Sequence, residues 1–119
     1  MESTRSLAEL ERELNDQILA GGAMEAFDAF YADECMMQEG SEEPTVGKAA
    51  NGEREVAFFA GVTELRALAL RDVSIGDGVT MSTWHFDYTH AEWGPQSYDQ
   101  VAVRHWSDGK IVRERFFKA

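Results

Sequence analysis

Cysteine occurs once, at Cys35, in a chain of 119 residues. No internal disulfide can form, and Cys35 reads as a small buried apolar residue rather than a nucleophile. Histidine is scarce as well. His85, His90 and His105 are scattered and join no Cys/His cluster, so no metal site is expected. The chain has no phosphate-cradling glycine loop and no Gly-x-Ser-x-Gly, and no cofactor is expected. Basic residues are few: 11 Lys and Arg against 22 Asp and Glu, a net charge of −11. Such a chain repels nucleic acid and anionic lipid surfaces, so neither is an expected partner. No apolar run approaches the roughly 18 residues of a membrane span. The opening stretch "MESTRSLAELERE" has no apolar signal-peptide core, which makes a cytoplasmic location the expectation.

The remaining composition is that of one globular domain, 1–119, with one core: 44% hydrophobic and 28% charged. Leu7, Leu10, Leu14 and Ile18 recur at spacings of three and four, one apolar stripe of a helix. Ser6 and Glu9 form a capping-box pattern before it, and Gly21-Gly22 closes it. A second helix carries Met24, Phe27, Phe30 and Tyr31 to about residue 32, with Tyr31 read as core. Residues 35–39 form a short strand, 40–53 a loop of turn residues, and 52–61 a third helix packing through Val56, Phe58 and Phe59. The second half predicts a meander of strands over 66–75, 79–89, 97–106 and 110–117. Gly76-Asp77-Gly78 and Asp108-Gly109 are its hairpin turns. Helices first and strands after predict an α+β fold, with N-terminal helices on one face of a curved antiparallel or mixed sheet.

Pairing the last hairpin outward from Asp108-Gly109 places Val103 opposite Glu114 and His105 opposite Val112. One face then holds Val101, Val103, His105, Val112, Glu114 and Phe116, an apolar surface interrupted by His105 and Glu114. That is the pattern of a pocket with a few polar groups: Glu114 and His105 could act as acid and base, or Glu114 could be a buried acid that a histidine or arginine holds to fix the sheet. The other face, with Ala102, Arg104, Trp106, Ile111, Arg113 and Arg115, reads as an outer or dimer surface. A single β-bulge would exchange the faces beyond it. In the preceding strand Trp84, Phe86 and Tyr88 share one parity, as core, interface or pocket wall. His85 and Asp87 share the other. Met36 and Met37 suit a deformable cavity wall.

Three segments, "AGGAMEAFDAFYADECMMQEG", "TVGKAANGEREVAFFAG" and "VAVRHWSDGKIVRERFF", in this order and spacing resemble the nuclear transport factor 2-like superfamily, and within it the SnoaL-like group. With the strands between them they span nearly the whole chain. The resemblance implies a cystatin-like α+β cone, a sheet wrapped around an apolar pocket for a small hydrophobic molecule, and homodimerisation through the sheet. The group includes ketosteroid isomerases, polyketide cyclases, epoxide hydrolases, dehydratases and non-catalytic binding domains, so the fold does not choose among activities. "FYADECMMQEG" resembles the isomerase pattern, which puts Glu39 where those enzymes keep their general base. A carboxyl at a pocket mouth would suit that role, since burial raises its pKa. Beside Ser41, Glu42 and Glu43, Glu39 reads more simply as a solvated strand end than as a base. The isomerase oxyanion positions fall on Asn15 and on Ala102 or Val103, none of them acidic.

Two classes of function stay open. The first is a metal-free acid–base enzyme using Glu114, His105 and Glu39. Asn15, Met37, Val103, Phe116, Trp84 and His85 would line its ligand site. The second is a non-catalytic binding or homodimeric scaffold protein.

Overall fold

The computed structural model describes residues 6–118. Helix α1 (Leu7–Leu19) starts at the Ser6 capping box: the Glu9 backbone N–H donates to Ser6 Oγ, and the Glu9 carboxylate accepts from the Ser6 N–H. Helix α2 (Ala23–Phe30) follows. It ends two residues earlier than the sequence predicts, because Tyr31 already has extended backbone, φ −101° and ψ 138°. Strand β1 (Tyr31–Glu39) therefore starts at Tyr31 rather than at Cys35. The predicted loop contains a two-residue strand, β2 (Thr45–Val46), and α3 (Lys48–Gly61) begins ahead of the expected residue 52. Strands β3 (Val62–Ile75), β4 (Val79–His90), β5 (Gly94–Ser107) and β6 (Lys110–Lys118) complete the fold.

The sheet has six strands in the order β2-β1-β6-β5-β4-β3. It is mixed, because β1 runs parallel to β6 while the other neighbours are antiparallel. The helices cover its inner face. Leu10 and Leu14 of α1, Phe27 and Phe30 of α2, Cys35 and Met37 of β1, and Trp106 and Ile111 of the last hairpin make one core cluster. In α3, by contrast, Val56 and Phe59 are exposed, although Phe59 also borders the cavity, and Phe58 packs on Phe86 of the sheet. No helix of the described residues is long and apolar enough to cross a membrane.

Asn51 in α3 holds the β1–β2–α3 corner together. Its buried amide donates to the carbonyls of Gly47 at 2.9 Å, Thr45 at 3.0 Å and Cys35 at 3.3 Å. Asn51→Ala removes these three bonds, while the Cys35 and Gly47 carbonyls keep the backbone N–H groups of Gly47 and residue 51. The substitution is expected to cost about 1–2 kcal/mol in urea unfolding.

The closing hairpin turns at Asp108 and Gly109, both with positive φ (53° and 76°), as an Asp-Gly turn requires. Ser107 pairs with Lys110 and Trp106 with Ile111, as the sequence predicts. Beyond them β6 bulges: His105 pairs with Arg113 and Arg104 with Glu114, leaving Val112 as the extra residue. The β5 faces are thereby exchanged relative to expectation. Ala102, Arg104 and Trp106 point into the core with Glu114 and Phe116. Val101, Val103 and His105 point outward.

Candidate functional site

Between the helices and the inner face of the sheet lies a cavity of about 800 Å³, open on one side. Strict alternation along β4 sends Trp84, Phe86, Tyr88 and His90 into it. Phe58 of α3 packs directly on this row in T-shaped contacts, its centroid 5.5 Å from that of Tyr88 and 5.9 Å from that of Phe86. Tyr98 of β5 extends the wall, its hydroxyl 2.9 Å from that of Tyr88. Burial and this hydrogen bond raise the Tyr98 pKa, so the phenol stays neutral.

At the end of the row, His90 stacks on Trp93 with centroids 3.9 Å apart. His90 Nδ1 accepts from the Glu92 backbone N–H at 3.1 Å. The edge of the ring lies flat against Gly61, where a Cβ would fall 2.1 Å from Nε2. Only glycine leaves room for this packing. Gly61→Ala is expected to push His90 off its stack, lower stability by about 1–3 kcal/mol and change the fluorescence of Trp93.

A buried polar chain lies along the floor. Arg104 Nε donates to Glu114 Oε2 at 2.7 Å, and Nη1 donates to Glu11 Oε2 at 2.9 Å and Asn15 Oδ1 at 2.8 Å. Tyr31 donates its hydroxyl to the second Glu114 oxygen at 2.5 Å. Thr80 donates to Glu11 Oε1 at 2.8 Å and accepts the Trp106 indole N–H at 2.9 Å. Burial works against the charge of Arg104, but Glu114, Tyr31 and Glu11 outweigh it and raise its pKa. Tyr31 is held well above the ordinary tyrosine range by burial and by the negative charge of Glu114, so it stays a donor.

Glu55 of α3 and Glu39 at the end of β1 add acids to the wall. Glu55 is half-buried, and among the described residues no hydrogen bond or ion pair reaches it. Burial first, then the charges of Glu114 and Glu39, push its carboxyl up to about 7, against the opposing pull of Arg54. Glu39 is raised too, mainly by burial, with Lys118 and Arg54 acting to lower it. Among the described residues, no three His, Cys, Asp or Glu side chains are grouped to hold a metal ion.

Of the residues singled out in the sequence, Glu114, Glu39, Met37, Phe116 and Trp84 line this cavity. Asn15 lies beneath it, fully buried, bonded to Glu11 and Arg104 rather than facing a ligand. Three expectations are corrected. His105 and Val103 are on the outer face because of the β6 bulge, so His105 is not the partner of Glu114. His85 also points outward, since the Trp84 parity is the inward one, and it bonds Asp99 at 2.8 Å. Trp106, placed outside by the unbulged register, is core.

Sequence reading missed Tyr31 as a polar partner, and also Arg104, Glu11 and Glu55. Glu11 and Asn15 carried at most a weak signal: at helical spacing they lie just beyond one edge of the arc of Leu10, Leu14, Leu7 and Ile18, where a side chain can be either solvated or buried.

The SnoaL-like domain profile matches residues 12–114. No curated protein matches the chain. Among solved structures, a candidate SnoaL-like polyketide cyclase from Mesorhizobium loti superposes with a TM-score of 0.86 at 21% identity, covering 94% of this chain and 98% of that one. One from Jannaschia sp. CCS1 gives 0.78 at 11% identity, covering 98% and 90%. An uncharacterised cystatin-fold protein from Novosphingobium aromaticivorans gives 0.78 at 16%, covering 94% and 97%. At these identities the likenesses establish the fold alone, whereas the profile spans most of the sequence: the chain belongs to the SnoaL-like family.

Proposed function

We propose that the cavity takes a small, largely apolar, ring-containing molecule and performs metal-free acid–base chemistry on it, of isomerase, cyclase or hydratase type. These reactions share one need: a group that removes a proton from carbon or water and returns one. Glu55 carries the proposal. Its carboxyl lies on the cavity wall, is unengaged, and titrates near neutrality. Glu114 is a poor base, because Tyr31 and Arg104 occupy both its oxygens. In this reading it is a fixed negative charge that tunes Glu55. Glu39 sits at the rim as a second acid.

The test uses 5-nitrobenzisoxazole, a planar neutral reagent. Its C3 proton passes to a base while the N–O bond opens to a coloured cyanophenolate. The protein should accelerate this opening beyond an equal concentration of acetate, with a rate that rises through pH about 7, and Glu55→Gln should remove the acceleration. No acceleration, or one untouched by Glu55→Gln, would overturn the catalytic assignment.

The second reading is a non-catalytic binding protein or homodimeric scaffold. One observation favours a dimer: on the outer face Met81 pairs with Val103, and Val101 with Phe117. Met81 and Phe117 are 47% and 40% exposed. Sedimentation of the wild type against Met81→Asp tests this face.

A further inference from the structure

The charges around the cavity do not balance. Glu11 and Glu114 are both buried and share one guanidinium, that of Arg104. Their other partners, Asn15, Thr80 and Tyr31, are neutral donors. The floor therefore carries one net negative charge in a region where charge is weakly screened. Glu55 adds an acid that, among the described residues, has no hydrogen-bond or ion-pair partner and, of the cations, feels only the opposing pull of Arg54. The two other cations on the cavity lining, Arg54 and Lys118, are both exposed. Arg54 bonds the Thr45 hydroxyl, and the Lys118 ammonium lies 4.4 Å above the Tyr98 ring. Among the described residues, no ion pair joins Arg54 or Lys118 to Glu11, Glu55 or Glu114.

Aromatic rings and carboxylates that line one cavity together favour one kind of group. The negative quadrupole face of an aromatic ring draws a cation, most strongly where water is excluded. An anionic ligand would meet the uncompensated charge of the floor. A neutral one would leave that charge as it is. We infer that the ligand carries a positively charged nitrogen, a protonated amine on a ring-bearing body, seated in the cavity that Glu55 lines together with the aromatic cluster of Phe58, Phe86 and Tyr88. This rests on the reading of the cavity as a small-molecule site, and adds to it the charge of the molecule.

Three probes with one ring system separate the two ideas: 1-naphthylmethylamine, protonated at neutral pH, 1-naphthylmethanol and 1-naphthoate. Binding is measured by calorimetry to the full chain at about 0.15 M salt, where the Debye length of about 8 Å suppresses attraction to the overall charge. The amine is expected to bind at least about tenfold more tightly than the alcohol, a difference of about 1.4 kcal/mol, with the naphthoate weakest. Glu55→Gln should shrink the preference to less than about threefold. Glu43→Gln, which removes an exposed acid outside the cavity, should leave it intact. Circular dichroism confirms that both variants are folded. Equal binding of amine and alcohol, or tighter binding of the naphthoate, overturns the cationic ligand and leaves the cavity reading standing. A preference that survives Glu55→Gln, or that Glu43→Gln abolishes equally, also overturns it. Binding of none of the three overturns the cavity reading itself.

Discussion

Arg104→Met is expected to destabilise the fold by about 3–5 kcal/mol, the usual cost of removing one partner of a buried ion pair. The cost does not come from lost attraction alone. Arg104 supplies the bonds to Glu114 Oε2 and Asn15 Oδ1 and one of those to Glu11 Oε2. Without it two carboxylates stay buried, at 0% and 1% exposure, with only neutral donors beside them. The triple variant Arg104→Met, Glu11→Gln, Glu114→Gln removes the stranded charges as well, and should recover at least half of the loss. Urea unfolding followed by tryptophan fluorescence reads both steps, since Trp106 bonds Thr80 within the same chain of contacts. A single-variant loss below about 1 kcal/mol, in the range of an exposed pair, would show that water reaches the floor. The inference about a cationic ligand would then lose its main support.

The architecture was legible because its signals are local and repeated. The Leu7–Leu10–Leu14–Ile18 stripe, the Ser6–Glu9 capping box and the two hairpin turns each dictate an element without help from tertiary contacts. Order and spacing then point to the fold. The site was less legible, for a physical reason that one residue illustrates. Val112 bulges out of β6, and this single insertion exchanges the inward set of β5, from Val103 and His105 to Ala102, Arg104 and Trp106. Nothing in "HWSDGKIVRERFF" marks it, because Val112 is as apolar as its neighbours and the turn chemistry is satisfied in either register. Arg104 looked like a surface cation because burying arginine demands carboxylates from elsewhere. Those come from Glu11, 93 positions away, and Glu114, 10 positions away. Glu55 was missed because α3 shows no clean amphipathic pattern. Its apolar residues Val56 and Phe59 are exposed, while the charged Glu55 turns toward the cavity.

Glu55→Gln is expected to lower the rate constant for 5-nitrobenzisoxazole opening by about 10²-fold or more, the usual contribution of a positioned base, and at the same time to stabilise the protein above neutral pH. The sign of the second effect follows from proton linkage. The folded carboxyl titrates near 7 and the unfolded one near its ordinary 4.5. Between these values the folded state holds a proton that the unfolded state has released, so stability falls as pH rises through that window and levels off above about 7. The full displacement corresponds to about 3 kcal/mol. Half-burial lets solvent reduce this to about 2 kcal/mol. Glutamine resembles the protonated acid and does not titrate, so variant and wild type should coincide below pH about 4.5 and separate above it, the variant being the more stable. Glu39→Gln supplies the control. It removes one of the two negative charges that raise Glu55, so it should shift the midpoint of the pH–rate profile downward while leaving the reaction in place. A Glu55→Gln protein that is slower but no more stable at high pH would mean that the carboxyl is already ionised in the folded state. Its role would then be to hold a positive charge rather than to exchange a proton. A protein that is more stable but no slower would make Glu55 a desolvated acid without catalytic use, and the cavity a binding site.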